Sequence, residues 1–298
     1  SYSILDASFN QGYKKTSNKK TGGSRNHIFA RSDIDLNLET FDESKLSINF
    51  QKTSNDTYLK VHDINSKIMT SNTVMNSSID MNFSKNDTSM DINMDVYEDL
   101  SKTDDRYEFV VPNYNYQNKL SIAEELGTFN FQSRGYYKNY ETNKKQTKLV
   151  NDFHWESIDY FSNSGIRTKI EGNLKNSNYR AENTTDHKND KNNIELMGAV
   201  SLLSSLPLEK QSENYTKTLT PKLMLRTAPG HMRNMSNSSL KLEMSNLYSL
   251  NKLSALDVIE TGTSLTLGTD YSYEDKKKDF EKFNLSVGQV YNYDYNAN

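Results

Sequence analysis

Cysteine is absent from all 298 residues. Neither a disulfide framework nor a thiolate metal site is available, and the compartment has to be read from other features. Long apolar runs are missing too. The most apolar window, Leu196-Met197-Gly198-Ala199-Val200-Ser201-Leu202-Leu203, has the length of a strand, well short of the ~18 consecutive apolar residues of a membrane-spanning helix. Alanine is scarce and only 34% of residues are hydrophobic, where a soluble globule carries about 45–50% apolar residues counting glycine; mean hydropathy is -0.85. That shortfall argues against a packed three-dimensional core and leaves a barrel with a polar lumen, or partial disorder. An excess of one charge sign is also lacking. Net charge is -3, so no nucleic-acid footprint is expected. The sequence shows no initiator methionine and no signal peptide at Ser1, and Tyr293-Asp294-Tyr295-Asn296-Ala297-Asn298 ends in mid-pattern. The expectation is an internal piece of a longer protein.

What the chain does have is a two-residue beat. Leu46-Ser47-Ile48-Asn49-Phe50 alternates apolar with polar, as do Ile79-Asp80-Met81-Asn82-Phe83, Met90-Asp91-Ile92-Asn93-Met94-Asp95-Val96 and Leu240-Lys241-Leu242-Glu243-Met244. Successive strand side chains point to opposite faces, so each run makes one apolar and one polar face. Nineteen Tyr and twelve Phe, with this sustained alternation, argue against disorder. Strands are expected near 2–13, 26–38, 44–53, 75–84, 88–98, 106–118, 127–140, 147–160, 165–179, 193–206, 217–228, 238–248, 259–273 and 280–293. That is about 12–14 strands of the length a tilted membrane strand needs. Short polar turns (85–87, 142–145, 275–278) alternate with longer polar stretches (14–25, 54–74, 180–192, 229–237), as periplasmic turns and extracellular loops do. Ser121–Leu126 is the only helix-like stretch and is short, and no shift in composition marks a domain boundary. The predicted fold is all-β: an antiparallel transmembrane β-barrel, of which residues 1–298 form a partial domain, a curved open sheet. Leu46, Ile48, Phe50, Leu240, Leu242 and Met244 are expected to face lipid; Ser47, Asn49, Gln51, Lys241 and Glu243 are expected to face the lumen. Tyr136, Tyr137, Tyr140, Tyr271, Tyr273, Tyr291, Tyr293 and Tyr295 sit near strand ends. They read either as an interfacial girdle or as ordinary strand formers, and both readings stay open.

Signs of chemistry are few. His27, His62, His154, His187 and His231 are scattered, without the H-E-x-x-H spacing of a zinc helix. No nucleophile elbow, P-loop or dinucleotide fingerprint occurs. Asp80, Asp91 and Asp95 fall on the polar faces of neighbouring strands, where they read as wetting a lumen rather than as an acid–base pair. The oxygen-rich stretch Glu182–Lys191 lacks the Gly and closing Glu of a calcium loop and reads as a solvated surface loop. Asn55-Asp56-Thr57 and Asn183-Thr184-Thr185 fit a glycosylation sequon, a frequent accident in Asn-rich chains. Lys276-Lys277-Lys278 reads as a turn, with a role near anionic headgroups as the alternative. No catalytic, cofactor-binding or metal-binding residue is assigned, and no cofactor or enzymatic activity is expected.

Two segments stand apart from generic alternation. Leu219–Arg233 places Pro221 at a strand start and Pro229 in a turn. Asn246-Leu247-Tyr248, Asn251, Leu256-Asp257-Val258-Ile259 and Thr261-Gly262 are followed by Ser286-Val287-Gly288-Gln289-Val290-Tyr291. This order resembles the barrel of the LPS-assembly LptD family (organic solvent tolerance protein), whose pattern runs NLF, N, SG.DRI and T.GL before a strand ending SVGQ.Y. Ser54-Asn55-Asp56-Thr57-Tyr58-Leu59 resembles the family's SD..YL element. The Asn and Lys excess resembles members from marine alphaproteobacteria with AT-rich genomes. Val258 stands where the family more often has Arg, and the family's N-terminal jellyroll and its first and last barrel strands have no counterpart here. The resemblance implies outer-membrane transport and assembly of lipopolysaccharide, inserted into the outer leaflet without bond making. It also implies an LptE-like plug lipoprotein, an LptA-like periplasmic bridge and outer-membrane lipids as partners. A porin or nutrient-receptor barrel, or an outer-membrane hydrolase, is the alternative.

Overall fold

The computed structural model describes residues 1–16, 19–120, 124–184, 191–232, 235, 241–253, 256–277 and 280–293. Nearly all regular structure is strand: β1 (Tyr2–Thr16), β2 (Lys19–Asp35), β3 (Glu43–Thr53), β4 (Val74–Lys85), β5 (Thr88–Asp99), β6 (Tyr107–Leu120), β7 (Thr128–Tyr140), β8 (Lys144–Glu156), β9 (Tyr160–Phe161), β10 (Arg167–Glu182), β11 (Asn193–Ser205), β12 (Leu208–Gln211), β13 (Tyr215–Ala228), β14 (Gly262–Asp275) and β15 (Phe280–Asn292). They form one 15-stranded antiparallel sheet in sequence order, in which the short β9 and β12 pair only with β10 and β13. Those two short strands take the total past the expected 12–14.

Contacts group the chain into two compact units. One comprises 1–118, 133–149 and 178–193; the other comprises 119–132, 150–177 and 194–298.

In the first unit the alternation becomes two ladders. Ile48 pairs with Ile79, which pairs with Met94. On the opposite face Arg31 pairs with Asn49, Asn49 with Ser78, and Ser78 with Asp95. The apolar side is the exposed one: Ile48 is 38% and Phe50 47% exposed, against 4% for Gln51. Leu46, Ser47 and Asn49 are half-buried. In the second unit Leu219, Leu223, Leu225, Leu267, Leu285 and Val287 are exposed, while Met224, Arg226, Ser264 and Thr266 are buried.

The strand expected at 238–248 does not form over its described residues, 241–248. Residues 241–243 are irregular and 244–248 make turns; Leu240 lies outside the described residues. The competitor is Asn246. Its Oδ1 accepts from Glu243 N at 2.8 Å, and its Nδ2 donates to Lys241 O at 2.8 Å and to Lys252 O at 3.1 Å. A short amide side chain thus satisfies backbone groups that a ladder would have used. Leu242 and Met244 are exposed, but not as strand residues. Conversely, a short helix, α1 (Tyr58–Val61), forms within the 54–74 stretch expected as a polar connection, and a 3₁₀ turn closes at Glu124–Leu126.

Candidate functional site

Each unit carries one long connection folded back onto the polar face of its own strands. In the first, residues 54–73 begin at Ser54, whose hydroxyl accepts from Asn26 N at 2.8 Å. Asn55 Oδ1 accepts from both the backbone and the hydroxyl of Thr57, at 2.9 and 2.8 Å, setting the turn that enters α1. Tyr58 and Leu59 then bury against Phe29, Ile68, Met75 and Leu100. Gln51 fixes the far end: its Nε2 donates to Ile68 O at 3.2 Å and its Oε1 accepts from Asn76 N at 3.2 Å. Asp56 pairs with Arg106 at 2.7 Å.

In the second unit, residues 241–253 and 256–261 lie over β13, β14 and β15. Arg226, only 3% exposed, donates from Nε to Leu250 O, from Nη2 to Glu260 O, and from Nη1 to Gly262 O at 3.5 Å. One guanidinium fork therefore holds both limbs of the loop through neutral carbonyls. Lys252 Nζ, also buried, donates to Ser264 Oγ at 3.1 Å and lies 3.9 Å from the Glu260 carboxylate. Burial holds the Lys252 ammonium below its ordinary value, partly offset by Glu260. Asn251 ties the limbs together, donating to Val258 O at 2.8 Å and accepting from Glu260 N at 3.1 Å. Leu250 and Ile259 join Met197, Ala199 and Ala228 in an apolar cluster.

The motif pieces read separately in the sequence meet here. A Cβ on Gly288 would lie 2.2 Å from Leu247 Cδ2, and one on Gly268 would lie 2.2 Å from the Tyr248 hydroxyl and 2.4 Å from Val287 O. The glycines in SVGQVY and in β14 are therefore seats for Leu247 and Tyr248. The Tyr248 ring also receives Lys222, whose Nζ is 5.3 Å from its centroid. Arg226 falls within the Leu219–Arg233 segment, whose sequence gives it no assigned role. Its one signal was a cation on the otherwise small or apolar inward positions Met224, Arg226 and Ala228.

Of the remaining candidates, Asp80 lies near Asp95, its Oδ2 accepting at 2.8 Å from the hydroxyl of Ser78, the cross-strand partner of Asp95; the others do not converge. Asp80 pairs with Asn93, and Asp91 with Asn82, whose Nδ2 donates to it at 2.9 Å. His27 is buried with Nε2 3.3 Å from Asp6 Oδ1, and His62 lies 3.4 Å from Arg25. His187, the loop residues 185–190 and Lys278 lie outside the described residues. Among the described residues no cluster of three or more His, Cys, Asp or Glu is placed to hold a metal, and no helix is long and apolar enough to cross a membrane.

No curated protein matches the chain. A family model does, the one described as LptD, LPS transport system D, over residues 23–298. That span takes in both returning loops and every residue on which the resemblance was drawn. With nearly the whole length matched, and an antiparallel all-β sheet carrying the motif residues in mutual contact, the chain belongs to the LptD family and its function is lipopolysaccharide transport to the outer membrane.

Proposed function

We propose that residues 1–298 are part of the barrel of an outer-membrane translocon that inserts lipopolysaccharide into the outer leaflet. The reading rests on the ladders. Their exposed apolar side, with Ile48 at 38% and Phe50 at 47%, suits lipid, and their Asp-, Asn- and Ser-rich side suits a wet sugar path. Transport of this kind makes and breaks no bonds, so the chain is not an enzyme, and its polar residues serve as lining. An LptE-like plug lipoprotein and an LptA-like periplasmic bridge are its proposed partners, and the Asn- and Lys-rich composition supports a marine alphaproteobacterial source.

Depletion of the full-length protein in its host tests the reading. Newly made lipopolysaccharide should disappear from the cell surface and accumulate inside the envelope, as measured by surface labelling. Normal surface labelling after depletion would overturn it.

A further inference from the structure

A cavity of about 300 Å³ opens in the first unit where β5, β6 and β7 reach their loops; Tyr97, Asp99, Lys102, Glu108, Tyr140 and Glu141 line it, with Asp105 and Arg106 beside them. Tyr97 pairs with Glu108 across β5 and β6, and Val74 with Asp99 across β4 and β5, so the floor is the polar face of the ladders.

Its polar groups are half-committed. Asp99 Oδ1 accepts from Ser101 N at 2.9 Å, Asp105 Oδ1 from the Thr142 hydroxyl, Glu108 Oε1 from Lys138 at 2.7 Å, and Glu141 Oε2 from Lys144. The second oxygen of each carboxylate accepts no hydrogen bond among the described residues. Lys102 has no ion pair and the Tyr140 hydroxyl no hydrogen bond among those residues. Lys138 and Lys144 lie 4.7 and 5.9 Å from the centre of the Tyr140 ring. The cavity therefore offers aromatic faces, spare acceptors and spare donors together.

That combination matches a pyranose, which has an apolar C–H face and a rim of hydroxyls that both donate and accept. Glu108 and Glu141 are paired with Lys138 and Lys144, and the lining Arg106 with Asp56 and Glu98, so the cavity has no excess of positive charge to draw a phosphate. We propose that this cavity is a subsite for an unphosphorylated sugar of the saccharide portion of the transported glycolipid, an inference that rests on the lipopolysaccharide-transport reading.

The full-length protein in detergent micelles is titrated calorimetrically with two probes. One is core oligosaccharide cut from lipid A and stripped of phosphate; the other is lipid A. The oligosaccharide should bind. Tyr140→Ala should weaken it about tenfold and Lys102→Met about threefold, the scale of one or two lost hydrogen bonds or stacking contacts, while lipid A binding stays unchanged. Should Tyr140→Ala fail to fold, Tyr140→Phe keeps the ring and should cost about threefold. Wild-type protein that does not bind the oligosaccharide, or variants that bind it as wild type does, would overturn the subsite even if surface export still depends on the protein. Oligosaccharide binding that persists when depletion leaves export intact would instead retain the sugar site and remove the transport role.

Discussion

Loop 54–73 is held down chiefly by apolar burial, through Leu59, Tyr58 and Ile68 against Phe29 and Met75, whereas loop 241–261 adds to the burial of Leu247, Leu250, Val258 and Ile259 a pair of buried cations, Arg226 and Lys252. Apolar burial tolerates small shifts, because it is proportional to area and has no direction. A buried guanidinium tolerates none, because each N–H needs its carbonyl in place and an unpaired buried charge is costly. The second loop should accordingly open as a unit or not at all. The first should loosen by degrees.

The sharpest way to break the contrast is Arg226→Met. It leaves the Leu250 and Glu260 carbonyls without their donor and should destabilise the 241–261 loop by about 3–5 kcal/mol. Hydrogen exchange should accelerate together across 246–260 and stay slow at 58–68; acceleration confined to one limb would show that the fork does not join them. Leu59→Ala should cost the other loop about 2–5 kcal/mol, through lost burial and a cavity. Here exchange should rise most near residue 59 and fade with distance, and a uniform rise over 54–73 would erase the difference between the loops.

Gly288→Ala is a smaller perturbation. Leu247 Cδ2 is the end of a flexible side chain and can turn aside, so about 1–3 kcal/mol of overpacking is expected. Gly268→Ala meets the backbone oxygen of Val287 and should cost more than Gly288→Ala; equal melting points for the two variants would refute the seating of Tyr248 and Leu247.

The smallest effect is one of pH. Lys252 is buried with its proton affinity lowered, so above its folded pKa the unfolded loop binds more protons than the folded one. Stability of the 241–261 loop should therefore rise with pH from the folded pKa up to ~10.5, the value of a free lysine. Lys252→Met should flatten that rise in exchange rates corrected for intrinsic pH dependence. A slope unchanged in the variant would assign the titration elsewhere.

Strands and facing were legible in the residues because both are local. Ile48 and Phe50 stand two apart, and two apart along a strand means the same face whatever the rest of the chain does. The same rule misled at Leu240–Met244, where the beat continues but Asn246 captures the backbone in turns. The family likeness was legible too, as ordered motifs without a stated reason for their spacing. Only the tertiary structure supplied that reason. Leu247 meets Gly288, and Arg226 meets Leu250 and Glu260, across dozens of residues. A period of two carries no information about which distant loop will cover a given inward position. That is decided by the size of the gap a glycine leaves and by the carbonyls a buried guanidinium must find. Alternation alone thus determined strands with one apolar and one polar face; the covering of each unit's polar face by its own loop, one held by apolar contact and one by apolar contact together with buried charge, emerged only when non-local packing brought those residues together.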